Sequence, residues 1–262
     1  MLKIFKIPFF YLKLIGINLP IFFRCIFEFP LFLKSYFKIL FLSKKYKDFK
    51  IGIPFPILYD KKENGGSAKG HYFHQDLYVA KKIYEKKPLR HVDIGSRVDG
   101  FVSHVAVFRE IEIFDIRPLE SKTKNITFKQ ADLMNLPIGF ESCSDSISSL
   151  HALEHFGLGR YGDPINYYGH ISALENIYKM LKSGGTFYYS SPIGKQRIEF
   201  NAHRIFSINY LLKYFKGKYK IINFSYVNDS GDFFENVEIN SKDADLNFNC
   251  KFGCGIFELE KI

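Results

Sequence analysis

From residue 89 onward, short apolar runs bounded by turn residues alternate with segments whose apolar positions recur every three or four residues. Runs at 89–94, 111–115, 126–130, 146–150, 186–190, 219–226 and 252–259 read as strands. Helical spacing is carried near 102–108, from 152 onward, and at 171–181 and 207–214. This alternation predicts an α/β domain with a mainly parallel sheet, because parallel strands need crossovers and crossover helices must bury their apolar stripes on the sheet. The last two runs have no helix between them and are expected to pair antiparallel at one edge. That makes seven strands.

Upstream the pattern changes. Residues 1–47 are apolar and aromatic, with Pro8, Pro20 and Pro30 expected to divide them into short helices. Arg24 and Glu28, then Lys34 and Lys38, stand four apart and share a helix face, leaving Phe, Leu and Ile on the other. The longest uncharged run, residues 14–23, has ten residues, whereas crossing a bilayer takes about 20. Two readings stay open: an interfacial anchor giving peripheral contact with an anionic membrane surface, or a helical layer packed on the main domain or on a second subunit of a homo-oligomer. Residues 48–70, broken by Pro54, Pro56, Gly65, Gly66 and Gly70, read as a connector. The α/β domain then occupies 71–262. It begins with His71, Tyr72 and His74, expected at the mouth of a cleft, and continues into a helix with Leu77, Ala80, Ile83 and Tyr84 on one side.

Composition alters this picture in three places. At 47% hydrophobic and 18% aromatic residues the chain has ample material for a packed core. The net charge of +10 is concentrated: residues 1–48 hold nine Lys or Arg against Glu28 and Asp48. The basic balance therefore describes the N-terminal segment, and no nucleic-acid partner is expected. Four scattered cysteines and no cleavable signal peptide point to a reducing cytoplasm. Cys250 and Cys254 lack His or Cys neighbours in sequence, so no metal is expected.

The candidate chemistry gathers where strands end. His91 to Gly100 reads as a buried strand carrying Asp93, then a turn with Gly95, Ser96 and Gly100, then a helix, which is an arrangement that brings backbone N–H groups to a ligand. Asp115, with Ile116 after it, closes the second strand 22 residues beyond Asp93 and is placed to accept ribose hydroxyls. Ala131-Asp132-Leu133 follows the third strand. The fourth ends in Ser149-Leu150-His151-Ala152-Leu153-Glu154-His155, and Leu181-Lys182-Ser183-Gly184-Gly185-Thr186 turns a helix into the fifth.

Taken in order, these motifs resemble the class I S-adenosylmethionine-dependent methyltransferases over about residues 75–260. Gly157-Leu158-Gly159-Arg160-Tyr161-Gly162-Asp163-Pro164 and Glu199-Phe200-Asn201-Ala202-His203-Arg204 resemble a branch associated with bacterial surface-polysaccharide synthesis. The resemblance implies a Rossmann-like sheet in the order 3-2-1-4-5-7-6 and S-adenosylmethionine as cofactor. By position, Asp93, Gly95, Ser96 and Gly100 would serve its methionine part, Asp115 and Ile116 the ribose, and Asp132 and Leu133 the adenine. Ser149, Leu150 and His151 would lie beside the sulfonium. The sequence departs from the family loop at Arg97, Val98 and Asp99, which stand where further glycine is usual.

Methyl transfer to an alcohol needs a base, and His155 or His203, with His151 nearby, are the candidates. Arg160 and Arg204, with Tyr161 and Asp163 in a glycine-rich loop, are expected to meet an anionic small-molecule or glycan acceptor. His151-x-x-Glu154-His155 also matches the inverted zinc-protease pattern, but that motif needs a continuous helix and here it leaves a strand directly. A catalytically degenerate scaffold for membrane-associated glycan assemblies is the alternative from another class, and the protein is expected in the cytoplasm or at the inner face of its membrane.

Overall fold

The computed structural model describes residues 11–46, 48–61, 63–120, 122–136 and 138–262. The chain divides into two compact units, Met1–Ser67 and Ala68–Ile262. In the first, one helix, α1 (Leu19–Ser43), runs through the position where Pro30 was expected to break it. Proline fixes φ near the helical value and forfeits one backbone bond, so a helix of 25 residues absorbs the cost. Asn18 caps it by accepting from the Ile21 amide, and Pro20 sits in the first turn, where a missing N–H costs nothing. Arg24 donates to the Tyr59 carbonyl and Glu63, and Lys61 lies 3.7 Å from Glu28. Arg24 and Glu28 are thus met by the connector, whereas Phe22, Phe23, Phe27, Phe37 and Phe41 are each more than half exposed. Lys3, Lys6, Pro8 and Lys47 of the expected N-terminal segment lie outside the described residues.

The second unit opens with α2 (His71–Lys86). Its sheet strands are β1 (His91–Ile94), β2 (Ile111–Asp115), β3 (Ile126–Gln130), β4 (Ser144–Leu150), β5 (Leu181–Ile193), β8 (Tyr219–Val227), β9 (Phe233–Phe234) and β10 (Gly253–Lys261). They lie in the order β3-β2-β1-β4-β5-β10-β8-β9. Strands β1 to β5 are parallel to one another, and β10 inserts antiparallel between β5 and β8. This is the expected Rossmann-like order, extended by β9 as an eighth strand. A separate hairpin pairs β6 (Arg197–Glu199) with β7 (His203–Ile205); its three-residue strands are too short to leave a periodicity.

Adjacent residues on a strand serve opposite cores. Phe114 and Phe187 face one cluster, covered by α4 (Gly169–Met180) and α5 (Ile208–Phe215), while Ile113 and Tyr188 face the other, covered by α2 and by α3 (Ser103–Ala106). Leu174, Ile177 and Met180 of α4 are fully buried, each worth about 1.5–3 kcal/mol relative to exposure. Two helix expectations are corrected. The 102–108 helix is a π-helical turn, Val98–Val102, followed by the single turn α3. The helix from 152 is one 3₁₀ turn, Leu153–His155, stopped where Gly157 takes φ +77°. The short helix α6 (Ser241–Asp245) lies before β10.

Candidate active site

At the C-terminal edge of β1–β4 the chain encloses a cleft of about 790 Å³, its open mouth included. The strand ends are held by a buried polar scaffold. Asp93 accepts from the Ser96 amide at 3.0 Å and from the hydroxyls of Ser96 and Ser148, each at 2.6 Å. Burial pushes its pKa up to about 6 despite these bonds. The Ser96 hydroxyl accepts from the Leu150 amide, and Ser149 donates to the Ile94 carbonyl. Asp93, Ser96, Ser149 and Leu150, expected against the cofactor, therefore stitch β1 to β4 and do not line the cleft. Gly100 is also elsewhere: a Cβ there would stand 2.6 Å from Asp76 Oδ2, so it admits the backbone beneath α2.

The remaining cofactor candidates come together. Gly95, in the left-handed region at φ +68°, lines the cleft with Ala152. Phe114, Ile116, Ala131, Leu133, Met134 and Phe156 make an apolar slot. Asp115 and Asp132 edge it. The Asp115 carboxylate is engaged by Arg117, accepting from its backbone amide at 2.8 Å and its guanidinium at 3.1 and 2.7 Å. Asp132 holds its own turn, accepting from the Met134 amide and Asn135. Phe114, Ala131, Met134, Ala152 and Phe156 were not singled out from sequence; their signal was only their position at strand ends. Arg117 stands two residues after β2, and its guanidinium lies 4.3 Å over the Tyr161 ring.

Of the acceptor candidates, Tyr72, Tyr161 and Asp163 line the cleft. Asp163 folds its loop, accepting from the amides of Gly157, Gly159 and Tyr161. His74 stacks on Phe233, Arg160 donates to the Ala202 carbonyl, and neither lines the cleft. Arg204 does not line the cleft. Its guanidinium is buried and donates to the carbonyls of Glu154, Phe156, Asn166 and Tyr167, so it fixes the chain there.

Three histidines were candidate bases. His155 lines the cleft with Nδ1 bonded to the Ala202 carbonyl at 2.6 Å. Burial holds its pKa below the usual value although the Glu154 carboxylate opposes this, and with Nδ1 turned to a carbonyl, Nε2 is the nitrogen left to accept a proton. His203 lies beside it, ring centroids 6.4 Å apart, with Nε2 3.1 Å from Glu199 and outside the cleft wall. His151 follows β4 in the left-handed region at φ 51°. Its Nδ1 meets Glu154 Oε1 at 2.7 Å, and its ring stacks on His71 at 5.1 Å. His151, His71 and Cys254 form a group that sequence reasoning separated.

Residues 111–251 match the sequence family described as "Caenorhabditis protein of unknown function, DUF268". No curated protein matches the chain. Among solved structures, the [4+2]-cyclase SpnF superposes with a TM-score of 0.50 at 15% identity, over 76% of this chain and 85% of that one. The N-methyltransferase NodS from Bradyrhizobium japonicum WM9, solved with S-adenosylhomocysteine, scores 0.48 at 12% identity over 78% and 91%. The Burkholderia thailandensis 1,6-didemethyltoxoflavin-N1-methyltransferase scores 0.48 at 11% identity over 71% and 78%. At such identities the likeness concerns the fold, the Rossmann-like methyltransferase fold of the sheet order above.

Proposed function

The chain belongs to the DUF268 family, and from that premise, together with the cleft, we propose that it is an S-adenosylmethionine-dependent methyltransferase acting on an oxygen of an anionic sugar or phosphate-bearing acceptor in surface-glycan synthesis. One observation carries the reading: an apolar slot between Ile116, Leu133 and Met134, edged by Asp115, opens beside the Gly95 turn. That donor set fits an adenosyl group, apolar walls for the base and a carboxylate for the ribose hydroxyls. When bound, S-adenosylmethionine would supply an activated methyl group. His155 would take the acceptor's proton at Nε2, its Nδ1–H fixed on Ala202 and Glu154 3.8 Å away to stabilise the charged ring. Tyr72 and Tyr161 would position the acceptor, and Arg97 and Arg117 in the wall favour a negative charge on it. The motifs around Gly157 and Glu199 support the glycan class.

Isothermal titration with S-adenosylhomocysteine tests this. Binding is expected, and Asp115→Asn should weaken it by about tenfold or more, the loss of a charge-assisted bond worth about 1.5 kcal/mol. Titration without heat or competition at any pH would remove the proposal. The Arg117 clamp on Asp115 favours a second reading, a scaffold that retains the fold and not the cofactor. Arg117→Met that still fails to bind would favour that reading. No described helix is long and apolar enough to cross a membrane. The exposed phenylalanines of α1 beside Lys34 and Lys38 support contact with an anionic bilayer surface. Flotation with phosphatidylserine vesicles, lost on Phe27→Ser with Phe41→Ser, tests that.

A further inference from the structure

We propose that His71, His151 and Cys254 form a binding site for one divalent transition-metal ion of the zinc type, set against the cleft wall. The inference does not rest on methyl transfer. Sheet order creates the group. Leu150, just before His151, pairs with Ser190 on β5, and Cys254 on β10 pairs with Pro192 of the same strand. Both side chains therefore reach one edge of the sheet, a strand apart, and His71 arrives there as the first residue of α2. One ligand atom from each of the three lies within 4.8 Å of the other two, a spacing that a small inward shift converts to tetrahedral metal bonds of about 2.0–2.3 Å.

The details are those of a ligand set. His151 Nε2 is buried and has no hydrogen-bond partner, a state that costs about 1–3 kcal/mol unless something fills it. Its other nitrogen is fixed by Glu154 at 2.7 Å, the carboxylate–histidine arrangement that orients metal ligands. The His71 ring is held by packing, its centroid 5.4 Å from that of Phe252. The two rings are nearly parallel, 8° apart. His151 pays for its place with a left-handed backbone at φ 51°, a strain of about 1–3 kcal/mol that clusters at functional sites.

Charge agrees with geometry. Glu154 is buried and its Oε2 has no hydrogen-bond partner. A dication held by the three ligands would lie beside this carboxylate and a Cys254 thiolate and balance their charges. Two imidazoles and a thiolate select zinc, cobalt or copper over magnesium or calcium. Three protein ligands leave a fourth position for water or an oxygen group of a ligand. His151 is also part of the cleft wall, so that position is within reach of whatever occupies the cleft.

The test uses the full chain. Purified protein should carry close to one zinc per chain by mass spectrometry of the metal. After chelation and loading with cobalt, it should show tetrahedral d–d bands and a thiolate-to-cobalt charge-transfer band. Cys254→Ser should abolish the charge-transfer band, Cys250→Ser should keep it, and His71→Ala should weaken cobalt binding by about tenfold or more. Wild-type protein that takes up neither zinc nor cobalt overturns the proposal, whatever the variants do. So does a charge-transfer band that survives Cys254→Ser or disappears in a folded Cys250→Ser.

Discussion

Replacing Arg204 separates a scaffold role from an acceptor role. Its guanidinium is buried without a carboxylate, and burial lowers its pKa from the ordinary arginine value. It donates to Phe156 at 2.6 Å and Tyr167 at 2.9 Å, with longer bonds to Asn166 at 3.3 Å and Glu154 at 3.4 Å. Counting only the two short bonds, at about 1.5–3 kcal/mol each for a charged donor, gives about 3–6 kcal/mol. The cost of holding an unpaired cation away from water offsets part of that, leaving a loss of about 3 kcal/mol for Arg204→Met. With a urea slope of about 2–3 kcal/mol per molar for a domain of this size, the midpoint should fall by about 1–1.5 M. Arg204→Lys should fall by about half as much, because an ammonium cannot span four carbonyls with a planar fork. Urea unfolding followed by circular dichroism reads both. A midpoint within about 0.2 M of wild type, combined with lost acceptor affinity, would refute this reasoning and restore Arg204 to the acceptor.

Further outcomes follow from the same geometry. Gly157 has φ +77°, and a Cβ there would stand 2.1 Å from the Asn166 carbonyl. Gly157→Ala should cost about 2–4 kcal/mol in thermal unfolding, and a neutral result would show that the loop relaxes freely. His170 is buried against the Tyr210 hydroxyl, and burial, aided by Arg204, lowers its pKa to about 3. A depressed histidine contributes stability that is present above about 6.5 and is lost as pH falls toward 3. His170→Phe should therefore flatten the decline in urea midpoint between pH 6.5 and 4.5, and an unchanged slope would argue against it. Ile177→Ala in α4 should cost about 2–5 kcal/mol by the same assay, against about 1 kcal/mol for Ile177→Val, because the site is fully buried.

How far the sequence could be read depended on the range of the interaction that decided each feature. Strand positions such as 111–115 and 126–130 coincide with β2 and β3 because β2 is a short, mostly buried apolar run and β3 alternates, with Ile126 and Phe128 packed on the core, both between turns. Asp115 and Asp132 could be placed for a similar reason: a residue that ends a parallel strand stands at the ligand-binding edge whatever surrounds it. Pro30 was misread because local propensity counts one lost bond and not the length of helix on either side. The turn after β4 was misread because its apolar spacing fits a helix, whereas the positive φ of Gly157 and Gly159 ends it.

The linear order of residues by itself determined the α/β class, the alternation of elements and the set of polar side chains available at strand ends, since periodicity and turn chemistry act over a few residues. Only the tertiary structure decided what those side chains do. It turned Asp93 inward to hold Ser96 and Ser148, committed Arg204 to four carbonyls, and carried His71 and Cys254 to His151. Those partners lie on different elements, and strand order with the packing of α2 sets their distances, so no local pattern could record them.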